Sequence, residues 1–170
     1  MTPQEFDAFY AASFSRLTGQ LYAMTSDWSE AQDVVQEAFI RAWDRRRTFD
    51  TDEAPEAWIR TTARRLAISR WRRLARGLHL AGRHHPQEPP TVEPPTEEHL
   101  MLVTALRDLP EAQRSAMVLH HMCDLSVEQV AAETGASVSA VKSRLARGRT
   151  ALAARLGDLP TAGSEGRLRV

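Results

Sequence analysis

Cysteine is almost absent from this chain: Cys123 is the single one in 170 residues. An intramolecular disulfide is therefore excluded, and the fold has to rest on burial and hydrogen bonding. Long hydrophobic runs are missing as well. No stretch approaches the roughly eighteen apolar residues of a membrane span, and the N-terminus lacks a charged start followed by an apolar run. A cytoplasmic protein without a membrane partner is expected. Chemistry is equally sparse. There is no Gly-rich phosphate loop, no paired acidic metal site and no nucleophile beside a base, so an enzyme reading has no residues to carry it and no cofactor is expected. His120, His121 and Cys123 come nearest to a metal cluster. Adjacent histidines on a helix project to different sides, and a closed zinc site needs four ligands, so no metal is expected.

Net charge is also absent, with 22 Lys and Arg against 22 Asp and Glu. A zero sum argues against a polyanionic partner only as an average, because local fields matter more than the total. Here the charge is segregated. Residues 1–40 hold six acids and one base, Arg16. Between Arg60 and Arg76 there are seven arginines and no acid. Residues 86–133 turn acidic again, and residues 136–156 carry five cations and no acid. Such a pattern fits two polyanion-facing surfaces with acidic surface left for another partner.

Proline marks the division of the chain. Five of the nine prolines fall between Pro86 and Pro95, a density that blocks helix and sheet and favours an extended linker. A linker over 78–96 is expected between helical domains at 1–77 and 97–157, with a frayed tail at 158–170. His84 and His85 fall in that linker and read as solvated. In the first domain, Thr2-Pro-Gln-Glu5 forms a capping box that starts a helix carrying Phe6, Phe14, Leu17 and Leu21. A second helix is expected from Ser29, with Val34, Val35, Ala38, Phe39 and Ala42 on one side. Residues 47–54 read as a loop, and Pro55 opens a third helix. The second domain reads as helices over 96–107, 111–122, 126–134 and 138–156. Trp43 and Trp58 are expected in the core, with Trp71 left open. No strand is expected.

The strongest local pattern is Ser126–Leu156, two helices joined by a three-residue turn at Gly135-Ala-Ser137, which describes a helix-turn-helix. On its second helix Val138, Val141, Leu145, Leu152 and Leu156 recur at three or four residues and should face a core. At about 100° per residue, Ser139, Lys142, Ser143, Ala146, Arg147 and Thr150 share the opposite face, with Arg144 and Arg149 on the flanks. Hydrogen-bonding side chains interleaved with cations suit base edges, and flanking arginines suit phosphates. The arginines of 60–76 are too many to bury together. Arg60, Arg64, Arg65, Arg70, Arg72 and Arg73 are expected to line much of an exposed surface, which beside aromatic residues suits melted DNA. A third pattern, "DVVQEAFIRAW" at 33–43, requires only a packed helix. Asp33, Gln36 and Glu37 nevertheless fall away from its apolar stripe.

In this order, "DVVQEAFIRAW", the arginine-rich helix, the proline-rich linker and a helix-turn-helix preceded by "LRDLPEAQRSAMVLHHMCDLSVEQVA" resemble a bacterial RNA polymerase sigma factor. The two-domain size is similar to the extracytoplasmic-function (ECF) group of the sigma-70 superfamily. The resemblance covers residues 5–157. It implies an all-α fold and a factor that directs core polymerase to particular promoters and assists melting. The matching positions for docking on the clamp helices of the largest polymerase subunit are Asp33, Gln36 and Glu37. For the −10 element they are Thr48, Phe49 and Asp50 in the loop, then Arg60, Arg64, Arg65 and Arg72. For the −35 element they are Ser139, Lys142, Ser143, Arg144, Arg147 and Arg149, with His120 where a basic residue is common. Core polymerase (clamp helices and beta flap), promoter DNA and an anti-sigma factor are the implied partners. The chain departs from the family at Arg65 and Ser69, where Asn and Asp are common, and at Ala146, often an aromatic. The alternative is a free-standing helix-turn-helix regulator, which has no need of an arginine-rich surface together with the Asp33 patch. A protein-binding adaptor using the acidic helices would leave both basic faces unexplained.

Overall fold

The computed structural model describes residues 1–47, 49, 54–75 and 94–157. Among the described residues every regular element is a helix, and there are seven. Helix α1 (Pro3–Thr25) starts where the capping box predicts. The Thr2 hydroxyl accepts from the Glu5 amide at 3.3 Å, and the Glu5 carboxylate accepts from the Thr2 amide at 2.7 Å. Ser26 closes α1 in the left-handed conformation at φ 60°.

Helix α2 (Trp28–Arg45) begins one residue before the expected Ser29. Asp27 is the cap, its carboxylate accepting from the Glu30 amide at 2.9 Å. Asp and Ser cap about equally well. The earlier start places Trp28 edge-on to Tyr22, with ring centroids 5.3 Å apart.

Helix α3 (Pro55–Ala75) completes a three-helix body in which α2 lies against both α1 and α3. Leu17 and Leu21 of α1, Val34, Val35 and Ala38 of α2, and Ile59 and Ala63 of α3 are fully buried. Each large aliphatic side chain so placed stabilises the fold by about 1.5–3 kcal/mol relative to exposure. At one end Phe6, Tyr10 and Phe14 of α1 surround Phe39 of α2. Trp43 extends this cluster against Phe6 but is 36% exposed, so it is not the core residue expected. Its outer face is covered instead by the Arg46 guanidinium, 3.9 Å from the ring centroid.

The described residues divide into two units, Met1–Val103 and Thr104–Val170. The division runs through α4 (Glu97–Arg107), later in the chain than the linker at 78–96. His99 explains this. Its ring lies against Gly19, where an added Cβ would stand 3.0 Å away, and 5.8 Å from the Tyr22 ring. Residues 78–93 of that linker, with His84 and His85, and the tail lie outside the described residues.

In the second unit α5 (Glu111–His121) and α6 (Val127–Thr134) both pack on α7 (Val138–Gly157). Ser126 caps α6 reciprocally with Gln129. Gly135 ends it at φ +67°, the left-handed value the turn requires. Ser137 then accepts from the Ala140 amide at 3.1 Å and starts α7. Val141, Leu145 and Leu152 are buried as the spacing predicts. Val138, the first residue of α7, is 36% exposed and stands outside that buried row. The Leu156 side chain is outside the described part. Gly148 supplies a close approach instead: a Cβ there would stand 2.7 Å from Met117 Cγ on α5.

Candidate nucleic-acid interface

Helix α7 carries its cations as the sequence pattern predicts. Val141 and Leu145 fix one face inward, which leaves Ser139, Lys142, Ser143, Arg147 and Arg149 exposed and Arg144 half-buried on the flank. No acid occurs in its first turn to neutralise them. The face therefore presents small hydroxyls between long cations, on a helix held rigidly by its buried row. His120, near the end of α5 in the same unit, is half-buried. Its Nδ1 donates to the Leu125 carbonyl at 2.7 Å, so the ring is tied to the segment that leads into α6. The neighbouring His121 is held below the usual histidine range by burial, and further by the charges of His120 and Arg149.

Helix α3 distributes its arginines differently from expectation. Arg60 and Arg64 are 5% and 9% exposed, which corrects the view that they line open surface. The cause is tertiary packing: α3 lies against both α2 and α1, and these two arginines sit one residue beyond the buried Ile59 and Ala63. Their aliphatic stems are taken up by packing. Arg65 and Arg72 remain exposed. Together with Arg64, Ile68 and Ser69 they line a shallow groove of ≈ 460 Å³. Trp71 is exposed, and Arg73 donates to Ser69 at 3.1 Å.

Phe49 is 9% exposed, with its ring 5.6 Å from the half-buried Trp58, whose face also receives Arg45 at 5.1 Å. Phe49 was expected at the DNA. Instead it is an internal anchor, since its neighbour Trp58 covers the ring. Thr48 and Asp50, expected beside it, lie outside the described residues.

The acidic patch on α2 is present and is not purely acidic. Asp33 is exposed, while Gln36 and Glu37 are half-buried. Glu37 accepts from Arg41 at 2.9 Å. Glu30 accepts from Arg70 of α3 at 3.4 Å, and the same guanidinium lies 4.0 Å from Asp33. Burial pushes the Glu30 carboxyl above its usual range, opposed by the Arg70 charge. Sequence reasoning missed this pairing, because the partners are forty residues apart and belong to stretches of opposite sign.

Two separated family matches fall on these two units. Residues 9–77 match Sigma-70 region 2, and residues 99–152 match Sigma-70 region 4. The ECF RNA polymerase sigma factor SigL of Mycobacterium tuberculosis is 32% identical over 128 residues, 72% of each chain. The chain belongs to the ECF sigma factors. A relative in Streptomyces coelicolor, RNA polymerase sigma-E factor, is 31% identical over 146 residues, covering 84% of this chain and 81% of its own. Among solved structures, the sigma factor RpoE of Bartonella quintana, in complex with the anti-sigma factor NepR, shares the fold. Its TM-score is 0.72 at 24% identity, covering 92% of this chain and 99% of that one. CnrH, in complex with the cytosolic domain of CnrY, matches at TM-score 0.67 and 25% identity, over 93% and 92%. As an alternative sigma factor the protein directs core RNA polymerase to promoters and starts transcription there. The region 2 match at residues 9–77 rules against the free-standing regulator, whose front domain would instead sense a signal or dimerise. Among the described residues no helix of this sigma factor is long and apolar enough to cross a membrane.

Proposed function

We propose a division of labour between the two units of this sigma factor. The first contacts core polymerase through Asp33, Gln36 and Glu37 and holds the −10 element against Arg65, Arg72 and the groove between them. Residues 48–53 receive a flipped non-template base. Flipping costs a few kcal/mol of stacking and pairing, least where the duplex already opens. The second unit reads the −35 element in the major groove with Ser139, Lys142, Ser143 and Arg147, while Arg144, Arg149 and His120 serve the backbone. Residues 78–96 join the two along the polymerase. The factor lends specificity and performs no catalysis itself. It works in the cytoplasm, with an anti-sigma protein as a further partner, as RpoE of Bartonella quintana has in its complex.

The observation that carries this reading is the segregation on α7: exposed cations and hydroxyls on one face, buried Val141, Leu145 and Leu152 on the other. Run-off transcription with purified core polymerase, with and without the protein, tests it. A promoter-specific transcript that appears only with the protein is expected. Tight binding of the isolated protein to duplex DNA with no such transcript would overturn it.

A further inference from the structure

We infer that Arg70 is a positioning residue of the polymerase-facing surface and takes no part in the DNA-facing one. The inference rests on the reading of Asp33, Gln36 and Glu37 as the polymerase contact. In the sequence Arg70 is one of seven arginines in an acid-free run. Its place on the helix separates it from the others. Arg65 and Arg72 share a face, both lining the groove with Ile68 and Ser69. At about 100° per residue Arg70 lies roughly 140–160° around the helix from either of them. It turns toward α2, where its guanidinium reaches Glu30 at 3.4 Å and Asp33 at 4.0 Å.

The arrangement has an asymmetry that gives Arg70 a job. Glu30 is the nearer partner and the more buried, with one carboxylate oxygen enclosed and unpaired. Asp33 is the farther partner, and its side chain is 58% exposed. A loose, exposed pair contributes little to stability. What Arg70 supplies is a fixed positive charge between two carboxylates one helical turn apart, which would otherwise repel each other. Glu30 holds the guanidinium, which brings its positive charge to 4.0 Å from the exposed Asp33 side chain. A cationic side chain on the polymerase then meets Asp33 with Arg70 already fixed beside it. This side thus carries three acids, Glu30, Asp33 and Glu37, with Arg70 and Arg41 set among them. A polymerase surface that places its cations opposite the acids is accepted, and a uniformly basic one is discriminated against by Arg70 and Arg41.

The test compares Arg70→Ala, Arg70→Lys and Arg72→Ala in the full-length chain. Affinity for core polymerase is measured by fluorescence anisotropy, and affinity of the assembled holoenzyme for a forked promoter probe is measured across a salt series. Arg70→Ala should weaken core binding on the order of three- to tenfold. Lysine should restore part of it, and neither variant should change the salt slope of promoter binding. Arg72→Ala should leave core binding alone and reduce that slope by about 1. A reduced slope for Arg70→Ala, or core binding equal to wild type, would overturn the assignment. Equal loss for alanine and lysine, with a lowered melting temperature, would mean Arg70 is merely structural and also sinks it. Asp33→Ala with Glu37→Ala is run in parallel. If that pair leaves core binding untouched, the polymerase-contact reading itself has failed, a result separate from any outcome at Arg70.

Discussion

Helices α3 and α7 each carry an acid-free run of cations in sequence, yet they place those cations in opposite ways. On α7 the charged face is outside: Lys142, Arg147 and Arg149 are exposed, and Val141, Leu145 and Leu152 form one buried row. On α3 the arginines are sorted three ways. Arg60 and Arg64 are buried, Arg70 is paired with acids of α2, and Arg65 and Arg72 face outward. Each helix has two packed neighbours, α5 and α6 for α7, and α1 and α2 for α3. The difference is in which positions they cover: on α7 the cations fall away from the buried row, whereas on α3 Arg60 and Arg64 directly follow Ile59 and Ala63 and share their burial. Charge in a sequence is therefore not yet charge on a surface, and where the neighbours lie decides how much survives.

The sharpest way to break the comparison is to remove the row that holds α7 still. Leu145 is 2% exposed. Leu145→Ala should cost about 2–5 kcal/mol of stability, measured by urea unfolding, because the cavity cannot close around a helix pinned elsewhere. A cost under about 1 kcal/mol would mean the unit is loosely packed. Gly148 sharpens the same point. An added methyl would meet Met117 Cγ at 2.7 Å. Alanine's higher helix propensity, worth up to about 1 kcal/mol, is offset by overpacking of about 1–3 kcal/mol. Gly148→Ala should thus destabilise, although alanine is the better helix former.

A second pair of substitutions separates the two helices by function. Arg60→Ala should lower stability by about 1–3 kcal/mol through lost packing and lost polar partners. Arg147→Ala should leave stability within about 0.5 kcal/mol. It should instead weaken −35 recognition by about 1–3 kcal/mol, measured on promoter probes with altered −35 bases. Equal stability losses for the two variants would erase the distinction between α3 and α7.

Much of this was legible before any coordinates, and the parts that were not share a cause. The helices, their Thr2 and Ser126 caps and the Gly135 turn are local, set by residues three or four apart, and pattern reading captures such features well. The exposed face of α7 was legible for the same reason, since one buried stripe fixes all the rest. Arg60, Arg64 and Phe49 were misplaced because their burial depends on α1, α2 and Trp58, which no local spacing reveals. Trp43 and Val138 failed in the other direction. Each has the right spacing for a core but sits in an end turn of its helix, Trp43 in the last of α2 and Val138 in the first of α7. Gly148 carried a readable signal, a glycine kept inside a helix between Leu145 and Leu152, which often marks close backbone approach.

The smallest expected effect concerns Glu30, and its sign follows from the direction of its shift. Burial raises the folded-state pKa above the ordinary 4.5, with Arg70 opposing. The folded state thus binds this proton more tightly than the unfolded chain does. The resulting stabilisation is complete below the unfolded value and is lost as pH rises through the folded one. Near neutral pH the ionised Glu30 is therefore a small net burden on the fold, screened because the side chain is 30% exposed. Glu30→Gln keeps the shape without the charge. Its melting temperature should equal or slightly exceed wild type at about pH 7, and the difference should vanish near pH 4. A variant that melts lower at neutral pH would show that attraction to Arg70 outweighs burial. On the expected result the fold gains nothing from this carboxylate, which leaves the holding of Arg70 beside Asp33, as proposed above, as its role.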